Sequence, residues 1–122
     1  MKPGNVKVYA YSACGTCQKA NKFLKQYQIQ FSELKIRETP PSITELKKAK
    51  QALDDIKKLF NISGKDYREG DWKTKQIKLS EDEIFKALSE NGNLIKRPFV
   101  ISEKGVLVGF KEEEWKKFFG VK

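Results

Sequence analysis

The chain points to an α/β fold: a four-stranded mixed sheet with flanking helices, and a block of helices inserted between the second and third strands. Three observations carry this. A short apolar run is followed by a helical pattern and a second strand-like run, which implies a right-handed crossover and a parallel strand pair. A long helical stretch with nearly balanced charge comes next. Two apolar runs separated by a short turn then form a hairpin before a closing helix.

The first strand is expected in "NVKVYAY", residues 5–11, where Val6 and Val8 alternate with their neighbours. From Gly15 to about Tyr27 the period changes, with Ala20, Phe23, Leu24 and Tyr27 at helical spacing and lysines on the other face. "IQFSELKI" reads as the second strand, partly buried through Ile29, Phe31 and Ile36. The prolines of "RETPPS" end it, and Ser42 with Glu45 three residues later forms a capping box for a helix through "ITELKKAKQAL". A shorter helix is expected in "DDIKKLF", and "NISGKDYREGD" has the composition of a turn. Ser80 and Glu83 repeat the capping box for "LSEDEIFKALSENG", with Asn91-Gly92 as its stop. "RPFVIS" and "GVLVGF" form the hairpin, with Gly105 in the turn. "KEEEWKKFFG" closes the chain as a helix whose acids lie early and lysines late, as the helix dipole prefers, with Trp115, Phe118 and Phe119 as its apolar stripe.

With 122 residues the chain fits a single domain, with a core of residues 1–40 and 93–122 and a helical insertion of residues 41–92. No apolar run is long enough to cross a bilayer, and "MKPGNVKVYA" lacks the apolar centre of a signal peptide, so a soluble, cytoplasmic monomer is expected. The chain has no histidine, which removes the commonest general base and the commonest nitrogen ligand for zinc. With only two cysteines besides, no metal site is expected. Lysine and arginine exceed the acids by 25 to 16, a net charge of +9, divided as +5 over residues 1–40, +1 over 41–92 and +3 over 93–122. A basic segment around the cysteines would suit an anionic partner such as glutathione, an oxyanion or an acidic protein surface, but on charge alone a solvated, soluble surface is the preferred reading. The lysines are scattered without aromatic interleaving or a reader motif, so direct nucleic-acid binding is not expected.

Cys14 and Cys17, in Cys-Gly-Thr-Cys, are the only cysteines and follow the first strand directly. A bridge between them closes too short a loop to stabilise the fold, so their placement speaks for redox chemistry. At a strand-to-helix junction, unpaired backbone N–H groups point at the sulfur and favour its thiolate. Cys14, the outer thiol, is expected to attack and Cys17 to resolve the mixed disulfide, with Gly15 and Thr16 keeping bulk away from the sulfur. Lys19 and Lys22 add charge along the same helix. In "LIKRPFVIS", Arg97 precedes Pro98 at the start of a strand. A cis bond there would fix a backbone edge beside the thiols and make Arg97 a cation for a thiolate or oxyanion; a trans proline beginning an edge strand fits the residues equally well.

Taken in order, "YSACGTCQKA", "TPPSITEL", "NISGKDYRE", "LIKRPFVI" and "VGFKEEEWKKFF" resemble the thioredoxin-like arsenate reductase family. That group includes glutaredoxin-dependent arsenate reductases, YffB-type reductase-like proteins, and the Spx and MgsR redox regulators. The resemblance covers essentially the whole chain and implies a thioredoxin-like fold. It also implies Cys14 as nucleophile, Pro98 as a cis proline facing it, Arg97 as the active-site arginine, and Gly15, Thr16 and Pro98 as substrate-binding residues. Arsenate reductases of this group hold the oxyanion with three arginines. Here only Arg97 stands at such a position; the others fall at Asn61 and near Gly109, with Arg68 or Lys111 able to substitute from nearby. Cys17 is not general among those reductases but is found in Spx-type regulators. The resemblance therefore implies a thiol-disulfide oxidoreductase cycling through a Cys14–Cys17 disulfide, inefficient toward arsenate, with no bound cofactor and with glutathione or thioredoxin as electron donor. The alternative it implies is an Spx-like switch that binds the C-terminal domain of the RNA polymerase alpha subunit.

Overall fold

The computed structural model describes residues 6–121. Its sheet contains β1 (Lys7–Ala10), β2 (Ser32–Lys35), β3 (Phe99–Ser102) and β4 (Gly105–Val108), in the spatial order β2-β1-β3-β4. β1 and β2 pair in parallel, while β1–β3 and β3–β4 are antiparallel, giving the mixed sheet expected. Among the described residues six α-helices accompany it: α1 (Gly15–Gln26), α2 (Ile43–Leu53), α3 (Lys65–Glu69), α4 (Trp72–Lys78), α5 (Glu81–Glu90) and α6 (Glu112–Phe119).

Successive residues of a strand face opposite sides, and the central strands use both faces. Val8, Ala10, Val100 and Leu107 pack on one side with Ala20, Phe23 and Leu24 of α1 and Trp115 and Phe119 of α6. Tyr9, Phe99, Ile101 and Val106 pack on the other with Leu46 of α2, Leu59 and Phe60, and Ile84 and Leu88 of α5. The helices that follow β2 in sequence thus supply the cover of one whole sheet face.

Both capping boxes form: Ser42 and Ser80 each accept a backbone N–H from the glutamate three residues later, and Glu45 and Glu83 reach back to the cap N–H. Glu45 does more. Its carboxylate also takes the Tyr9 hydroxyl at 2.7 Å and the Lys7 ammonium at 3.3 Å, clamping the start of α2 to β1.

Several elements differ from expectation. The first strand is shorter at both ends, and Asn5 lies outside the described residues. The second begins only at Ser32, because Gln28 adopts φ +56° and the Ile29 N–H is used on Leu24 O at 2.9 Å to close α1. The strand itself is an exposed edge; Ile29 and Phe31 pack before it and Ile36 just after. "DDIKKLF" supplies a left-handed cap at Asp54 (φ +62°) and a single 3₁₀ turn, Ile56–Leu59. The stretch read as turn contains α3, and α4 follows it without having been expected. α4 has no apolar stripe: Ile77 is 79% exposed, and the helix is fastened by Gln76 Nε2 donating to the Tyr67 hydroxyl at 2.8 Å and by Trp72 against Phe60. Asn91 ends α5 in an extended conformation, so Gly92 is not a left-handed stop. It is a point of close approach, where any Cβ would collide with the Ile36 carbonyl oxygen. The hairpin loop is Glu103-Lys104, with Gly105 (φ +145°) pairing with Ser102 immediately after it. In α6, Trp115 and Phe119 are buried and Phe118 is half-buried.

Candidate active site

Cys14 is the N-cap residue of α1, extended at φ −86° and ψ 121°. Its N–H donates to Tyr11 O at 3.0 Å, its carbonyl accepts the Gln18 N–H at 3.0 Å, and Gln18 Nε2 donates to Ser12 O at 2.9 Å. The link between β1 and α1 is therefore fixed on both sides of the sulfur. The Cys14 side chain makes no full cap hydrogen bond, yet the first-turn amides face it. Partial burial works against its thiolate, but the Cys17 N–H, the Cys17 thiol, the Arg97 side chain and the Thr16 N–H together outweigh it. Cys14 is held below the ordinary thiol range. Cys17, one turn deeper and buried among Val8, Ala10 and Phe23, is displaced the other way. Its burial, against a backbone hydrogen bond from Tyr11 and with the Cys14 sulfur alongside, pushes it up to about 12. Both thiols are free.

The Arg97-Pro98 peptide bond is cis. The buried proline's carbonyl accepts the Gly109 N–H at 2.9 Å, while Arg97 turns to Cys14 and lays its guanidinium over the Tyr11 ring at 5.2 Å. Arg37 lies over the same ring at 4.8 Å. The approach to Arg97 is set by a short backbone pairing: Phe60 bridges Ile95, the Asn61 N–H donates to Leu94 O at 2.8 Å, and the Lys96 N–H donates to Leu59 O at 2.8 Å.

These segments enclose a cleft of about 450 Å³ that contains Cys14 and Thr16 with Asn61, Lys96, Arg97 and Lys111. A larger hollow, about 670 Å³, opens beside Tyr11 and Arg37 and includes neither cysteine, so of these two it is the smaller cleft that is lined by a thiol. Among the described residues no group of three or more His, Cys, Asp or Glu is placed to hold a metal ion.

The structure thus brings Cys14, Cys17, Thr16 and Arg97 together. Neither Gly15 nor the buried Pro98 lines the cleft; a Cβ at Gly15 would meet nothing within 4 Å, and Pro98 reaches the cleft wall only through its carbonyl's bond to the Gly109 N–H. Asn61 and Gly109, the positions compared with oxyanion-binding arginines, both line it. Of the two substitutes considered, Lys111 does so, whereas Arg68 is turned away and donates to Ser63 O at 2.7 Å. Lys19 and Lys22 border a separate hollow with Phe110 and Glu112. Lys96 was missed by sequence reasoning; the only signal was a second cation beside Arg97 in "LIKRPF".

This arrangement of a helix-capping cysteine, a cis proline and a mixed four-stranded sheet is thioredoxin-like, and residues 9–118 match the ArsC family pattern. The chain belongs to the ArsC family. Within reach of that family, it is 45% identical over 111 residues to the uncharacterized protein YusI of Bacillus subtilis, spanning 89% of this chain and 93% of that one. The crystal structure of an ArsC family related protein from Bacteroides fragilis superimposes with a TM-score of 0.88 at 39% identity, covering 96% of this chain and 99% of its own. The global transcriptional regulator Spx 2 of Lactococcus lactis subsp. lactis is 30% identical over 114 residues, 93% of this chain and 85% of its own. The chain's similarity thus reaches a protein named as a transcriptional regulator as well as ArsC family related proteins.

Proposed function

We propose that this ArsC family protein is a thiol-disulfide oxidoreductase in which Cys14 is the nucleophile and Cys17 the resolving thiol. The observation that supports it is the split between the two sulfurs: Cys14 is favoured as thiolate at the α1 N-terminus beside Arg97, and Cys17 is buried as thiol one turn behind. Cys14 thiolate attacks one sulfur of a disulfide R–S–S–R; that bond breaks, R–S⁻ departs with the electron pair, and a Cys14–S–S–R mixed disulfide forms. Cys17 then attacks the Cys14 sulfur. The second R–S⁻ leaves, and the Cys17 proton goes to a departing thiolate. The substrate is reduced to one thiol and one thiolate, which takes its proton from solvent, the cysteine pair is oxidised to a disulfide, and glutathione or thioredoxin returns the two electrons. Arg97 stabilises the Cys14 thiolate, and the cis Pro98 edge with Thr16 positions the substrate.

Alkylation rate against pH tests the first step. Cys14 in a Cys17→Ser variant is expected to react at pH values where free cysteine is still largely protonated; a profile matching free cysteine would sink the reading. In Cys17→Ala, the mixed disulfide should persist instead of resolving. Arsenate with glutathione or thioredoxin is expected to turn over poorly, because Asn61 and Gly109 supply no second or third guanidinium, and the nearby Lys96 and Lys111 lack its paired, planar donors.

A second reading is favoured by the Spx relatives together with Cys17: a redox-switched regulator that binds the RNA polymerase alpha subunit. Retention on immobilised alpha subunit that changes on oxidation supports it, and no retention in either redox state removes it.

A further inference from the structure

We propose that Lys96, folded over Gly109, is the residue by which the Cys14 cleft selects disulfides carrying a negative charge beside the sulfur, such as carboxylate-bearing low-molecular-weight disulfides. This rests on the thiol-disulfide reading above and names its substrate class.

The cleft is lined by three cations, Lys96, Arg97 and Lys111, and by no carboxylate. The larger hollow beside Tyr11, by contrast, balances Lys35 and Arg37 with Glu33 and Glu38. The three cations are not equally available. Arg97 lies against Cys14 and the Tyr11 ring with its Nη1 buried and unpartnered, and Lys111 pairs with Glu114 at 3.7 Å. Lys96 makes no ion pair among the described residues.

Its position follows from glycine at 109. Gly109 adopts φ +71°, and its peptide groups are fixed on both sides, the N–H on Pro98 O at 2.9 Å and the carbonyl by Trp115 Nε1 at 3.2 Å. A Cβ on that backbone would lie 2.9 Å from Lys96 Cε and 3.8 Å from its Nζ. The lysine stem therefore occupies the volume that any side chain at 109 would take, and it brings the ammonium to the wall of the cleft that holds Cys14. The Lys96 backbone is itself held by its N–H on Leu59 O at 2.8 Å. A cation placed in a partly enclosed, carboxylate-free cleft raises the local concentration of anionic substrates and favours their docking.

The test uses the reduced full chain and three aliphatic disulfides: dithiodipropionate as dianion, hydroxyethyl disulfide as neutral reference and cystamine as dication. The second-order rate of Cys14 mixed-disulfide formation is measured for each. In Lys96→Met, the ratio of the anionic to the neutral rate is expected to fall about fivefold at low salt, the effect of one unit charge about 4 Å away in water. The cystamine ratio should rise, Lys96→Arg should restore the original order, and added salt should compress the differences. Ratios unchanged by Lys96→Met, or a fall shared by all three disulfides, would overturn the assignment while leaving thiol-disulfide chemistry intact. Failure of the unsubstituted protein to react with any of the three would remove both.

Discussion

At the scale of single residues, Arg97 joins the two parts of the site, since it helps hold the Cys14 thiol below the ordinary range and lies over the Tyr11 ring at 5.2 Å. Arg37 on the same ring completes a stack of two guanidinium groups around one phenol. A planar guanidinium can stack on the ring and still present donors at its edge, whereas a lysine ammonium over a ring acts only as a point charge. Arg97→Met is therefore expected to move Cys14 back toward the ordinary thiol range and to slow its alkylation at neutral pH by roughly threefold to tenfold. Arg97→Lys should recover only part of that rate, as pH profiles of iodoacetamide labelling would reveal; full recovery would mean that charge alone matters. Cys14, Cys17 and the Arg97-Pro98 pair were legible in sequence because each is a local motif with its own chemistry. Lys96 was not, because its role depends on glycine thirteen residues away in a different strand end.

At the scale of elements, the strongest sequence signals were those the backbone itself requires. Both capping boxes and the dipole-ordered charges of α6 satisfy groups at helix ends and appear where expected. α4 and the true role of Gly92 escaped notice for one reason: neither is written in local periodicity. α4 lacks an apolar stripe, and Gly92 is demanded by the backbone that follows β2 passing against it. Gly92→Ala should consequently cost about 3 kcal/mol or more, since a backbone carbonyl cannot yield as a side chain can. Urea unfolding would register this as a lowered midpoint; a midpoint near that of the unsubstituted protein would show that the two segments can separate without loss. The displacement would reach the site, because the same segment continues through the Phe60–Ile95 pairing to Lys96 and Arg97.

At the scale of the molecule, one glutamate ties the helices after β2 to the central sheet. Glu45 is partly buried, which alone would raise its pKa, but the Ser42 N–H, the Tyr9 hydroxyl and Lys7 together hold it below the usual carboxylate range. A carboxylate lowered in the folded state contributes stability that is present above its unfolded pKa and is lost as pH falls through the folded value. Glu45→Gln should thus lower stability at neutral pH by about 1 to 2 kcal/mol and flatten the acid limb of a stability-against-pH curve. Parallel curves for the two proteins would place the acid sensitivity elsewhere. The chain's order of elements, its capped helices and its thiol pair follow from the amino acids read in line, because periodicity, caps and Cys-x-x-Cys act over a few neighbouring residues. The depth that separates Cys17 from Cys14, the cis Arg97-Pro98 edge and the lysine lying over Gly109 depend on segments that meet only when both faces of the sheet are covered. Burial and electrostatic contact are properties of neighbours in space, and no spacing along the chain encodes them.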